Sequence, residues 1–175
     1  MLLSSLLLIP FLGTLALMVW PGSPSPARLR QITIVILVLQ LAMSVVTALQ
    51  FNPDQAGMQL QELHSWVPGI GLNYALGVDG LSLPLVLING ALTLVSAVIT
   101  RDISKRPRLY FAMLLLISGA VNGAFLAENL LLFFLFYELE LIPLWLLISI
   151  WGGNERAYAA TKFLIFTAVS GMLIL

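Results

Sequence analysis

The sequence lacks the residues on which much metal and redox chemistry depends. It contains no cysteine and a single histidine, His64, in 175 residues. Disulfides, thiolate metal sites and cysteine nucleophiles are therefore excluded, and one histidine cannot hold a metal ion alone. Charged residues make up only 9% of the chain, about a third of the usual share, and the net charge is zero. This balance gives no basic surface for nucleic acid.

What the sequence has instead is long apolar runs, since 60% of the residues are hydrophobic. A soluble domain of this length could not bury so much apolar surface, so we predict an all-α polytopic membrane protein. Runs of about 18–23 residues have the length of a membrane-spanning helix. Six are present, near residues 2–20, 31–51, 79–100, 109–127, 129–151 and 157–175. The first has no basic leader or cleavage signal and is predicted to be a retained helix.

The basic residues predict how these six helices are oriented. Seven of the eight Lys and Arg residues flank alternate spans, in the first, third and fifth connections: Arg28, Arg30, Arg101, Lys105, Arg106, Arg108 and Arg156. The second and fourth connections, including a loop predicted over 52–78, contain none. By the positive-inside rule the amino terminus faces the outer or lumenal side.

Two carboxylates lie within the fifth predicted span, in the string FYELELIP at 136–143. A carboxylate near the middle of a membrane helix costs about 2.5–3.5 kcal/mol, so it is rare without a partner, a water path or a proton. Glu138 falls close to the predicted midplane. Glu140 is about 200° further around the helix and must contact a different neighbour. A polar helix–helix contact and a proton-handling or ion-handling site both fit this pattern.

Lys162 is the eighth basic residue and lies inside the sixth predicted span, roughly 9 Å from its start. The Gly152-Gly153 turn makes the fifth and sixth spans antiparallel neighbours. The predicted depths of Glu138 and Lys162 differ by several ångströms, which favours a water relay over a direct salt bridge. Snorkelling of the lysine toward the inner face is the structural alternative.

The remaining acidic residues and the histidine are predicted to be structural. Asp79 opens the third span and is expected to cap that helix. Glu128 is expected to be a solvated loop charge, and His64 a surface loop residue, with proton entry as the alternative role. No nucleotide-binding loop, quinone pocket or redox ligand set is recognisable, so any redox chemistry is expected on other chains.

Three strings, in the same order and spacing, resemble a known family. They are GVDGLSLPLVLIN at 77–89, AENLLLFFLFYELELIPLWLLISIWGG at 127–153 and ERAYAATKFLIFTAVSGMLIL at 155–175. Together they resemble subunit 4 of the proton-pumping NAD(P)H–quinone oxidoreductases, the complex I family. The ELELIP string followed by Trp-Gly-Gly is most similar to the cyanobacterial and chloroplast branch.

The resemblance implies a non-redox, antiporter-like subunit that translocates protons within an oxidoreductase complex. It matches Glu138 to the essential glutamate of the fifth helix and Lys162 to a lysine of the sixth helix. Glu140 matches only the photosynthetic branch. No cofactor or metal is implied for this chain. NAD(P)H or ferredoxin, iron–sulfur clusters and plastoquinone or another quinone would belong to the other membrane and peripheral subunits.

The family is also longer than this chain. Its members have about fourteen helices and two inverted five-helix repeats, so the sequence is expected to be an N-terminal portion that stops before the broken seventh helix. That helix carries the lysine that pairs with the fifth-helix glutamate. We divide the chain into residues 1–127, with the first four spans, and 128–175, with the fifth and sixth spans and the buried charges.

Two other functions fit part of the pattern. A subunit of a multi-subunit Na⁺/H⁺ antiporter would use the same buried Glu and Lys, and a membrane scaffold would use them only as helix contacts. In the oxidoreductase interpretation the membrane is the thylakoid, or alternatively the bacterial inner membrane. Respiration, cyclic electron flow and carbon dioxide uptake all remain open as the role of the complex.

Overall fold

A computed structural model describes residues 1–101 and 103–174. Its helices are α1 (Leu2–Val19), α2 (Pro26–Gln50), α3 (Ser82–Ile99), α4 (Pro107–Leu126), α5 (Leu130–Trp151) and α6 (Arg156–Ile174). All six predicted helices are confirmed. In the part of the chain described, five of them, α1 to α5, are long and apolar enough to cross a membrane. The helix α6 is less apolar at its start, where Arg156 and Lys162 lie.

Helix ends are set by capping residues. The second helix begins at Pro26, earlier than predicted, because the Ser25 side chain accepts a hydrogen bond from the Arg28 amide and proline fits the first helical position. The fifth begins after Asn129, whose side chain accepts from the Leu132 amide at 3.1 Å. It continues unbroken through Pro143 to Trp151.

The helix α4 is the centre of the bundle. It packs against α1, α2, α3 and α5, whereas α6 packs mainly against α5. Two apolar clusters fill the interior, one containing Leu6, Leu76 and Leu132 and the other containing Leu37 and Phe111. The outward faces of the helices are apolar and exposed, as expected of surfaces that contact lipid.

The prediction of a loop over 52–78 was wrong, because most of this segment is a β-hairpin. Strands β1 (Gln59–Val67) and β2 (Leu72–Val78) pair antiparallel. The register shifts after Gln59, and Leu60 has a φ of 54°. This irregularity breaks the alternation of apolar and polar residues by which a strand is recognised in a sequence.

The hairpin is fastened to the start of α1 by Glu62. Its buried carboxylate accepts hydrogen bonds from the Leu3 amide at 2.9 Å and from the amide and hydroxyl of Ser4, and it pairs with the Met1 amino group at 2.7 Å. Burial by itself would raise the pKa of this carboxyl, but the hydrogen bonds outweigh burial and hold the pKa below its usual value. The hairpin therefore covers this end of the bundle as an ordered element.

The connections alternate between two ends of the bundle. Segments 20–25, 103–106 and 152–155 form one end, which we call the basic end, and the hairpin forms the other. Arg108 at the start of α4 donates to the Gly22 carbonyl, and the Trp151 indole at the end of α5 donates to the Lys105 carbonyl at 2.9 Å, so two of these segments are bound to neighbouring helix ends. The predicted gathering of basic residues at one end is confirmed. Which side of a membrane this end faces stays a prediction.

Candidate functional site

The helix α5 carries Glu138 near its middle. Glu138 is eight positions after Leu130, the first residue of α5, which corresponds to about 12 Å along the helix axis. The helix spans roughly 33 Å. Glu138 is therefore at intermediate depth, far from the water at either end of the helix.

The carboxylate of Glu138 lies against α6 at Gly171. One of its oxygens, Oε1, is buried and has no hydrogen-bond partner among the described residues. A methyl group at position 171 would overlap this oxygen and would lie 3.1 Å from the Tyr137 ring. The absence of a side chain at the buried Gly171 thus leaves the space that the carboxylate occupies.

An unpaired buried carboxylate oxygen is costly when the group is ionised. The usual ways to remove this cost are a proton on the group, a neighbouring positive charge or a bound water molecule. In the described part of the chain none of the basic side chains reaches Glu138, since the ion pair present there joins Met1 and Glu62. The arrangement suits a group that exchanges a proton.

Glu140 does not share this position. It is two residues further along α5, about 200° around the axis, and is partly buried. The structure therefore separates the two acids, as the sequence predicted, and no hydrogen bond links Glu140 to a described residue. Its role in proton translocation stays a prediction.

Lys162 does not contact Glu138. It precedes Gly171 by nine residues, which is about 13 Å along α6 and half a turn around it. Its side chain is exposed, and the ammonium lies 5.7 Å from the Tyr158 ring centroid and 6.0 Å from that of Phe166. The lysine thus lies on the face of α6 opposite to the face that packs on Glu138.

Asp79 caps the third helix, as predicted. Its Oδ1 accepts hydrogen bonds from the amides of Leu81 at 3.0 Å and Ser82 at 2.7 Å, and its own amide donates to the Ser82 hydroxyl at 2.9 Å. The hydrogen bond from the Ser82 amide is the main cause that lowers the pKa of this carboxyl, since the bond favours the ionised form. The residue has a structural role at the start of α3.

Glu128 and His64 lie on the surface at the hairpin end. Glu128 is exposed, and both its carboxylate oxygens accept from the Gln61 side chain at 2.8 Å. Its amide also donates to the Ala75 carbonyl at 2.9 Å, which attaches the hairpin to the α4–α5 turn. His64 is an exposed strand residue stacked on Tyr74 at 6.3 Å, where a loop position was expected.

A polar cluster between α2, α3 and α4 was missed by the sequence reasoning. Gln40 and Ser118 are fully buried and exchange two hydrogen bonds, of 2.8 and 3.0 Å. Asn89 donates to Asn122 at 2.7 Å, and Nδ2 of the buried Asn122 is unpaired among the described residues. The available signal was a Gln and two Asn within apolar runs, where uncharged polar residues commonly form interhelical hydrogen bonds.

No group of three or more His, Asp or Glu side chains that could hold a metal ion occurs within residues 1–101 and 103–174. The site consists of the Glu138 carboxylate with its buried and unpaired Oε1, the glycine that leaves room for it, and Lys162 on the far face of α6.

Comparison with known proteins gives a consistent set of relatives. The family described as the transmembrane region of NADH:quinone oxidoreductase/Mrp antiporter proteins matches residues 127–175. NAD(P)H-quinone oxidoreductase chain 4 1 of Synechococcus sp. strain JA-2-3B'a(2-13) is 45% identical over 99% of this chain, and chain 4 of Prochlorococcus marinus strain NATL2A is 37% identical over the same share. The chain spans about a third, 32%, of the length of these curated relatives.

Solved structures show the same fold. A chain of respiratory complex I from Thermus thermophilus with bound NADH superposes with a TM-score of 0.79 at 26% identity, over 98% of this chain and 33% of that chain. A chain of the Mrp complex from Dietzia sp. DQ12-45-1b also gives a TM-score of 0.79, at 17% identity, over 99% of this chain and 18% of that chain. The second likeness concerns the fold alone.

Proposed function

Because this multi-pass membrane chain is homologous, over nearly its whole length, to the N-terminal third of NAD(P)H-quinone oxidoreductase chain 4, we propose that it acts as a proton-translocating part of such a complex. The observation that carries the proposal is the buried Oε1 atom of the half-buried Glu138, which has no partner among the described residues. In this proposal the electrons never pass through the chain.

Glu138 would act by gaining and losing a proton. In the first step of the proposed cycle, the carboxylate takes up a proton from water on one side while no positive charge is near it. A positive charge that approaches from another segment or subunit favours the carboxylate, and the proton leaves toward the other side. The reaction that drives this movement would occur in partner subunits, which would hold NAD(P)H or ferredoxin as donor, iron–sulfur clusters and plastoquinone.

Lys162 and Glu140 are proposed as further charges of the same path. Lys162 is exposed on α6, so we propose that its ammonium acts on a group outside the described residues rather than on Glu138 directly. Glu140 would take part in proton transfer on the face of α5 opposite to Glu138. The cyanobacterial relatives suit a thylakoid location, and a role in cyclic electron flow, respiration or carbon dioxide uptake would follow from the complex that contains the chain.

The test is the Glu138→Gln substitution in the assembled complex, reconstituted in vesicles. We expect quinone reduction to persist and the number of protons translocated per quinone reduced to fall by at least one. Glu128→Gln, an exposed carboxylate whose removal leaves the membrane interior unchanged, is the matched control and should pump normally. Full proton stoichiometry in Glu138→Gln would contradict the proposal.

The second candidate function is a subunit of an Mrp-type Na⁺/H⁺ antiporter. Two findings favour it: the Dietzia Mrp chain has the same fold, and the family that matches residues 127–175 includes Mrp antiporters. Identification of the proteins that co-purify with the chain in mild detergent separates the two functions. Subunits with iron–sulfur clusters support the oxidoreductase, whereas only other antiporter-type membrane chains, with sodium-dependent proton flux, support the exchanger.

A further inference from the structure

A cavity of about 570 Å³ opens at the basic end, between the α1–α2 connection and the start of α4. Met18, Leu29 and Leu109 provide apolar walls, and Arg106 and Arg108 provide two guanidinium groups. The cavity therefore combines a hydrophobic surface with two positive charges.

The charges at this cavity are not neutralised by the described acidic residues. Arg108 donates to the Gly22 carbonyl, which fixes its guanidinium across the cavity and leaves its other N–H groups available. Arg106 is exposed and takes a left-handed backbone conformation, with φ 48° and ψ 53°. Neither arginine pairs with an acid in the described ranges. By contrast, Arg30 at the same end is engaged with the Ala97 carbonyl at 3.1 Å and with the Val98 carbonyl.

The position of the cavity, at the end of helices long enough to cross a membrane, is where lipid headgroups are expected. It is bordered by the first turn of α4, and the rings of Tyr110 and Trp151 meet nearby at 5.2 Å. Trp and Tyr are concentrated at the membrane–water boundary, where their polar atoms reach water and their rings reach the hydrocarbon. A ligand at this depth can place an anionic group on the arginines and an apolar part along the membrane-facing wall.

We propose that this cavity binds the phosphate group of an anionic phospholipid, with a phosphodiester oxygen held by Arg106 and Arg108. Guanidinium groups match phosphate geometry, and basic pockets at the ends of membrane helices bind acidic lipid headgroups. Free inorganic phosphate would offer the same anionic chemistry to the two arginines. The apolar walls formed by Met18, Leu29 and Leu109 favour the lipid, because free phosphate cannot use them. The site is independent of Glu138 and of the proposed proton pathway.

The test is native mass spectrometry of the full chain, purified in mild detergent and mixed with phosphatidylglycerol or phosphatidylcholine. We expect phosphatidylglycerol to remain bound at least tenfold more than phosphatidylcholine. The Arg106→Gln/Arg108→Gln variant should lose this excess, and Arg28→Gln/Arg156→Gln, which removes equal charge from the same end outside the cavity, should keep it. Arg106→Gln alone leaves the Arg108–Gly22 contact intact and should still weaken retention severalfold.

Three results would overturn the proposal. The first is equal retention of the two lipids, and the second is equal loss in the two double variants, which would indicate a diffuse effect of net charge. The third is that millimolar inorganic phosphate displaces the lipid and itself binds as strongly as phosphatidylglycerol. The ligand would then be a free anion. Thermal unfolding of each variant without lipid identifies any variant that fails to fold. If the double variant at the cavity does not fold, lipid retention by Arg106→Gln alone tests the proposal.

Discussion

Gly171 and Lys162 lie on opposite faces of α6, and of the two only Gly171 faces the Glu138 carboxylate, whose Oε1 is buried. They are nine positions apart, which is two and a half turns of the helix and places their side chains on opposite sides. One face of α6 is therefore shaped to accommodate the acid on α5, and the other presents a positive charge between two exposed aromatic rings. This separation makes the roles of the two faces testable one at a time.

Gly171→Ala should impair proton pumping without removing a charge. A methyl group at position 171 would overlap the Glu138 carboxylate and crowd Tyr137, so the carboxylate must rotate away from α6. Overpacking of this kind costs about 1–3 kcal/mol, which allows the complex to assemble. We expect the proton stoichiometry to fall while quinone reduction continues, and the infrared carboxyl band that disappears in Glu138→Gln to shift in Gly171→Ala.

The matched control is Gly153→Ala in the α5–α6 turn, where a methyl group would meet no atom within 4 Å. It should leave pumping and the infrared band unchanged. The double variant Glu138→Ala/Gly171→Ala removes the overlapping carboxylate and should recover the thermal stability that Gly171→Ala loses. Normal pumping by Gly171→Ala would show that the position of the carboxylate against α6 is unimportant.

The exposed position of Lys162 predicts that its charge can be removed without damage to the fold. Lys162→Gln should assemble normally, because its exposed ammonium makes cation–π contacts with Tyr158 and Phe166, each worth about 0.5–1 kcal/mol at an exposed site, and no salt bridge with any described residue. If its charge belongs to the proton path, Lys162→Gln lowers proton stoichiometry and Lys162→Arg retains it. Full pumping by Lys162→Gln would leave only a snorkelling role for the lysine.

The sequence predicts the helices well because each apolar run is recognisable by its length and composition, while capping residues such as Ser25 set the exact ends. It also predicts the separation of Glu138 from Glu140 and the cap at Asp79, which follow from helix geometry and local hydrogen bonding. The contact of Glu138 with Gly171 could not be predicted, since it depends on how α6 rotates against α5. The division of the chain at residue 127 stays a prediction.

Other features were missed for different physical reasons. The β-hairpin is hidden by the irregularity near Leu60, which places polar Gln59 and Glu62 inward and leaves Leu63 exposed. The polar cluster of Gln40, Ser118, Asn89 and Asn122 is assembled from three helices far apart in sequence. Only their tertiary packing shows which of the many polar residues in apolar runs meet each other.

The Gln40–Ser118 pair should stabilise the contact between α2 and α4. Ser118→Ala leaves the buried Gln40 amide without its partner, which should cost about 1–3 kcal/mol. Gln40→Leu/Ser118→Ala replaces both polar groups and should be closer to wild-type stability. Thermal unfolding in detergent measures both effects. The double variant is compared with the single variants Gln40→Leu and Ser118→Ala. If its loss of stability equals or exceeds the sum of their losses, the two side chains are not coupled.

Asp79 should make the stability of the α3 start depend on acid pH. Because the pKa of this carboxyl is lowered in the folded chain, its stabilising effect is fully present above the unfolded value of about 3.9. The effect is lost as pH falls below that value and through the folded pKa. Asp79→Ala removes the cap and should cost about 1 kcal/mol at neutral pH.

Asp79→Asn provides the control that separates the hydrogen bonds from the charge. Asparagine keeps a side-chain oxygen that can accept from the Leu81 and Ser82 amides, so it should retain most of the capping energy at neutral pH. It does not titrate, so its unfolding temperature should decline less than that of the wild type as the pH is lowered from 6 to about 3. Parallel declines in the two proteins would mean that other carboxyls, such as Glu62 in the hairpin, account for the acid sensitivity.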